Sequence, residues 1–140
     1  MAIKTILVKG NLLRKEALAS GAITPGMLVQ LTNAANNTVI VQQTEKIPCA
    51  MAFAVEDELQ GDEIGTAYTT ATTVQYGVAE RGSEIYALLS TDESVTKGDY
   101  LEANGDGTFQ AYTNGIRLAV ALETVAADDS VNARILIEVL

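Results

Sequence analysis

The sequence predicts an all-β fold, a single compact β-sandwich or barrel of short strands, and three observations carry that prediction. Apolar, β-prone runs of strand length recur along the whole chain, divided by Gly, Asn, Asp and Ser. One turn is used twice: Ile23-Thr24-Pro25-Gly26-Met27-Leu28-Val29 returns as Val95-Thr96-Lys97-Gly98-Asp99-Tyr100-Leu101, an offset of 98 − 26 = 72 residues. The continuous apolar run at residues 50–55 is too short to need a helix and reads as a buried core strand. In each copy of the turn a β-branched residue leads into a Gly that tolerates positive φ, and an apolar-alternating run leaves it. The flanks repeat too, with Gly10 answered by Gly82 and the stretch 52–56 by 119–123. Two readings fit: two copies of one unit around a shared core, or a β protein that reuses its turns.

At 140 residues and 14.8 kDa the chain makes one domain, long enough to bury about two-thirds of its unfolded surface without disulfide staples. Its single cysteine, Cys49, lies beside the apolar run and reads as a small buried hydrophobe. A net charge of −9 and a pI near 4.3 repel duplex DNA and anionic lipid, so neither nucleic acid nor membrane is expected as a partner. No run approaches the roughly 18 apolar residues of a membrane span, and residues 1–10 lack the long apolar centre and cleavage pattern of a signal peptide.

Residues 1–10 form a segment of unusual sign. Lys4, Lys9, Arg14 and Lys15 occur in the first fifteen residues without one acid, while all eighteen acids follow. The apolar, basic stretch is either an edge strand of the protein's own sheet protected by lysines, or an extended arm that pairs with another chain. The division expected is an arm at 1–10 and a β-rich body at 11–140. Residues 11–21 fit a short helix capped by Asn11 and closed by Gly21, but the equivalent stretch at 84–89 carries Ile and Tyr and reads as a strand.

Residues 27–31 and 39–42 form a hairpin across an Asn-rich loop suited to left-handed turn residues. Asn36-Asn37-Thr38 also matches the glycosylation acceptor pattern, which without a secretory signal reads as turn chemistry. Residues 56–63 hold five carboxylates but lack the alternate spacing and fixed Gly of an EF-hand, so a solvated acidic loop is expected. Strand-like runs continue at 64–68, 74–79, 85–89, 100–103, 109–112, 117–122 and 134–139, and 102–107 reads as a hairpin turn.

Catalytic patterns are few. The chain has no His, which removes imidazole triads and His-based metal sites. Ser94-Val95-Thr96-Lys97 matches a serine-x-x-lysine pattern without its companion triplets, and falls in the repeated turn. Glycine-rich phosphate loops are missing, and a chain without Trp is poor material for a sugar platform. No enzyme activity, cofactor, metal or small-molecule substrate is expected.

Four blocks, 22–29, 52–61, 84–89 and 98–108, together resemble the small head decoration, or cement, proteins of tailed bacteriophages, in order and spacing, from about residue 12 to the end. The resemblance implies a β-rich structural protein on the exterior of a virion head, bound to the major capsid protein, stabilising the expanded head as a homotrimer at local threefold positions. It transfers no catalytic residue and leaves residues 1–9 outside. For those, charge and pattern offer Ile3, Lys4, Ile6, Leu7, Val8 and Lys9 as a capsid-binding arm. Tyr86, Tyr100, Phe109 and Tyr112 are offered as trimer contacts, on the tendency of aromatic residues toward interfaces. The rival class is a β-rich receptor- or carbohydrate-binding module of a phage tail or fibre.

Overall fold

A computed structural model describes residues 3–32, 37–47, 49–128 and 130–140. Its strands are β1 (Leu7–Lys9), β2 (Leu12–Ala19), β3 (Val29–Leu31), β4 (Thr38–Val41), β5 (Ala52–Ala54), β6 (Thr73–Ala79), β7 (Glu84–Leu88), β8 (Tyr100–Ala103), β9 (Phe109–Ala111), β10 (Ala119–Ala121) and β11 (Arg134–Val139). A 3-10 turn at Glu58–Gln60 is the only helical element among the described residues, so the all-β class stands. The strands form a six-stranded sheet, β1-β7-β11-β10-β8-β9, and a five-stranded sheet, β3-β4-β2-β6-β5, in a sandwich-like domain.

The helix offered for residues 11–21 is β2 instead. Seven register pairs with β6, from Leu12↔Ala79 to Leu18↔Thr73, override the local capping signal. The hairpins expected at 27–42 and 100–112 are β3–β4 and β8–β9, both antiparallel. The Asn-rich stretch 33–36 lies outside the described residues, as does Pro48 beside Cys49.

The repeat read from the glycines is a repeat of hydrogen bonds. Gly26 N–H donates to Ala54 O at 2.7 Å and Ala54 N–H to Met27 O; Gly98 N–H donates to Ala121 O at 2.8 Å and Ala121 N–H to Asp99 O. Gly26 and Gly98 hold φ of 98° and 96°, where a Cβ is strained. Bridges Ile23↔Tyr68 and Val95↔Val125 also correspond. Strands β2–β6 and β7–β11 are therefore one five-strand unit twice. Each curls on itself: Leu28↔Phe53 joins the ends of the first sheet, and the parallel bridge Leu89↔Phe109 mirrors the parallel β2–β4 pair.

The single shared core expected from the repeat is corrected to two. The first unit fills its barrel with residues such as Ile23, Val29, Val39, Val74 and Tyr76. The second cluster holds Ile85, Leu101, Phe109, Ile135 and Ile137, and takes Leu28, Phe53 and Val55 from the first unit, with the Phe53 and Phe109 rings 6.1 Å apart. Strand β5 serves both, because Ala52 and Ala54 face one core while Phe53 faces the other. Arg134 staples the units: its Nη1 donates to Pro25 O at 2.6 Å and its Nη2 to Ile64 O at 2.7 Å. A Cβ on Gly26 would overlap that guanidinium, a second reason for glycine there.

Residues 6–9 are not a separate arm. Leu7 pairs with Ile85 and Lys9 with Glu84, and Tyr86 N–H donates to Ile6 O. Ile6 is 0% exposed. From Ile6 onward this stretch is an edge strand of the body, the other reading its pattern allowed, with Lys4 and Lys9 on the exposed side.

Candidate interaction site

The four aromatic residues offered as contacts do not share a surface. Phe109 is 0% exposed in the core, because strand alternation turns it inward, so it is withdrawn as an interface residue. Tyr86 is half-buried with Arg134 Cζ 5.8 Å from its ring centroid, part of the staple between the units. Tyr100 and Tyr112 do meet. Leu101 pairs with Ala111, which sets Tyr100 opposite Tyr112, and Tyr112 N–H donates to Tyr100 O at 2.9 Å.

Between those two rings lies Arg117, which sequence reading had not singled out. Its Cζ stands 4.8 Å from the Tyr100 centroid and 4.9 Å from the Tyr112 centroid. Strand β10 pairs with β8, Val120 opposite Tyr100, and Leu118 N–H donates to Leu101 O, so the segment leading into β10, with Arg117 two residues before the strand, runs beside β8. The guanidinium of this exposed residue lies within cation–π reach of both rings. With the exposed side chain of Ile116 beside it, this surface has the Tyr, Arg and aliphatic composition of an interface hot spot.

A buried carboxylate shapes the loop that delivers Arg117. Glu102 is 0% exposed and shares Tyr100's face of β8. It accepts hydrogen bonds from Thr113 N–H (3.1 Å), Thr113 Oγ1 (2.8 Å) and Gly115 N–H (2.8 Å), with Gln110 Nε2 at 3.3 Å. Burial alone would push its pKa up; the donors at Thr113 and Gly115, with the charge of Lys46, win and hold it below the ordinary 4.5. A Cβ on Gly115 would overlap the Glu102 carboxylate and sit 2.6 Å from Lys46 Cβ, so only glycine lets the loop close.

The acidic stretch 56–63 is not solvated throughout. Glu56 is buried and accepts the Ile6 N–H at 3.0 Å, tying β1 to the first unit. Among the described residues no three His, Cys, Asp or Glu side chains are placed to share a metal ion. Cys49 is half-buried, and burial pushes its thiol up to about 11, which keeps the nucleophilic thiolate scarce at neutral pH. No helix among the described residues is long and apolar enough to cross a membrane. Val29, Leu31, Val39, Tyr76, Val78 and Lys15 line a cavity of about 110 Å³ in the mouth of the first barrel.

No family model matches the chain, and no curated protein matches it. Among solved structures it is similar to the head fiber gp8.5 N base of bacteriophage phi29, at TM-score 0.63 and 11% identity, over 93% of this chain and 95% of that one. At that identity the likeness is one of fold, and it takes in both five-strand units rather than one.

Proposed function

We propose that this chain is a non-enzymatic structural protein of a phage virion. It sits on the capsid exterior bound to the major capsid protein, assembles as a homotrimer, and stabilises the expanded head. The observation that carries this reading is the near-complete overlap of its fold with the base of a phage head fiber. Charge supports it: an acidic body stays soluble before assembly and avoids the packaged DNA. Two surfaces suit protein contacts, the Tyr100–Arg117–Tyr112 stack and the outer edge of β1, which has no partner strand among the described residues. A protein that touches several shell subunits gains avidity, since each contact after the first is intramolecular.

Cosedimentation with purified expanded heads and with immature shells tests the proposal. The chain is expected to pellet with expanded heads, and Arg117→Glu to weaken binding about tenfold, the effect of a hot-spot residue. Failure to pellet with either particle rejects the capsid role. A second reading, the base of a head-surface fiber, is favoured by the structural neighbour, which is such a base. Binding to host cells without binding to heads would select a receptor module instead.

A further inference from the structure

The two units are built alike but are not covered alike. In the second, Ala103 and Val139 stand where β8 and β11 end, and both are buried in one cluster with Leu28, Phe53 and Val55 of the first unit. In the first unit Leu31, which answers Ala103, and Val78, which pairs with Ala52 as Val139 pairs with Ala119, line the 110 Å³ cavity at its barrel mouth. Leu31 is 65% exposed there, and Leu13, which pairs with Val78, is exposed to the same extent. Barrel mouths are common ligand sites, and this one has room for a few waters or one branched aliphatic side chain. Lys15 is its charged lining residue; Arg14 and Glu16 project from the other face of β2.

The same molecule carries a matching knob. Beyond the other end of β5, the 3-10 turn Glu58–Gln60 presents Leu59, 85% exposed, the most exposed large hydrophobic side chain among the described residues. The turn is held by its own backbone: Gly61, left-handed at φ 76°, donates to Glu58 O at 3.1 Å, and Asp62 N–H donates to Asp57 O at 3.0 Å. Glu58, Asp62 and Glu63, all exposed, lie within four residues of the leucine in sequence.

We infer that Leu59 of one copy enters the first-unit barrel mouth of a second copy, with Glu58 meeting Lys15 at the rim. Shape and charge both fit: an aliphatic knob on an acidic turn meets an apolar socket whose charged lining residue is a cation. Knob and socket lie at opposite ends of β5; made head to tail, the contact is heterologous, the type that closes into a ring when its rotation allows. It deepens the self-assembly part of the proposed function and stands without any capsid contact.

Sedimentation velocity of the purified chain over a concentration series tests it. The wild type is expected to self-associate, and Leu59→Asp or Lys15→Glu to weaken association at least tenfold. These are surface positions, so thermal midpoints stay at the wild-type value. Mixing Leu59→Asp, which keeps its socket, with Leu31→Glu, which keeps its knob, restores one contact and gives a heterodimer that neither forms alone. Glu58→Lys combined with Lys15→Glu in one chain restores association. A wild type that stays monomeric at every concentration, or a Leu59→Asp chain that assembles like wild type, overturns the inference. Self-association with no binding to expanded heads sinks the capsid reading alone.

Discussion

Glu102→Ala is expected to cost about 3 kcal/mol and to lower the thermal midpoint by about 10 °C, because the donors that close the loop over β8 lose their shared acceptor. Those donors are Thr113 N–H and Oγ1 and Gly115 N–H, and the residue they surround is shut from water. The same substitution frees the 113–116 loop, so the Arg117 stack loosens with it. The carboxyl is held below its ordinary 4.5 in the folded chain. Its ionised form therefore stabilises the fold; the contribution is complete above the unfolded-state value and disappears as pH falls through the folded one. Glu102→Gln should accordingly be less stable at pH 7 and show a shallower loss of stability on acidification. Urea titrations at a series of pH values would check this, and a pH dependence identical to wild type would reject Glu102 as the group responsible.

Removal of residues 2–9 is expected to leave the chain barely folded, at a loss of about 4 kcal/mol or more. The deletion takes Ile6 out of the second core, strips the ladder from β7, and leaves the buried Glu56 carboxylate without the Ile6 N–H. A free attachment arm would behave oppositely, its loss sparing the fold while weakening attachment. By contrast, alanine at Lys4 or Lys9 removes only exposed charge, including a Lys9–Glu84 pair at 3.8 Å, and should stay within about 0.5 kcal/mol of wild type. Chemical denaturation of the three variants decides the matter. A truncation that melts with wild type would return residues 1–9 to the role of an arm.

Much of this architecture could be read before any coordinates, because period-two patterning and turn glycines report the backbone locally. Gly26 and Gly98 announced matching turns, and the hydrogen bonds around them match atom for atom. What could not be read was which apolar or acidic residues face inward. Ile6 and Phe109 carry the side chains of an interface as well as those of a core, and only the pairing of β1 with β7 and the closure of the second barrel decide between them. Glu56 and Glu102 look in sequence like their solvated neighbours; backbone donors fifty and eleven to thirteen residues away bury them. Arg117 gave no signal at all, since its place between two tyrosines depends on where the 113–118 segment runs once β8, β9 and β10 have paired.

The uneven sharing of the two cores sets an order of events during synthesis. The first unit holds within residues 17–76 every side chain of its own buried cluster, so that core can close while the rest of the chain is still being made. The second unit cannot complete its core alone, since Leu28, Phe53 and Val55 belong to the first and Ile6 to the strand before it. The early barrel thus acts as the template on which the later one condenses, and Ile6 must wait for β7 to arrive before it is buried. In pulse-labelled hydrogen exchange during refolding, amides of β2, β5 and β6 are expected to gain protection before those of β1, β7, β10 and β11. Simultaneous protection of all seven strands would mean that the two barrels form in one step.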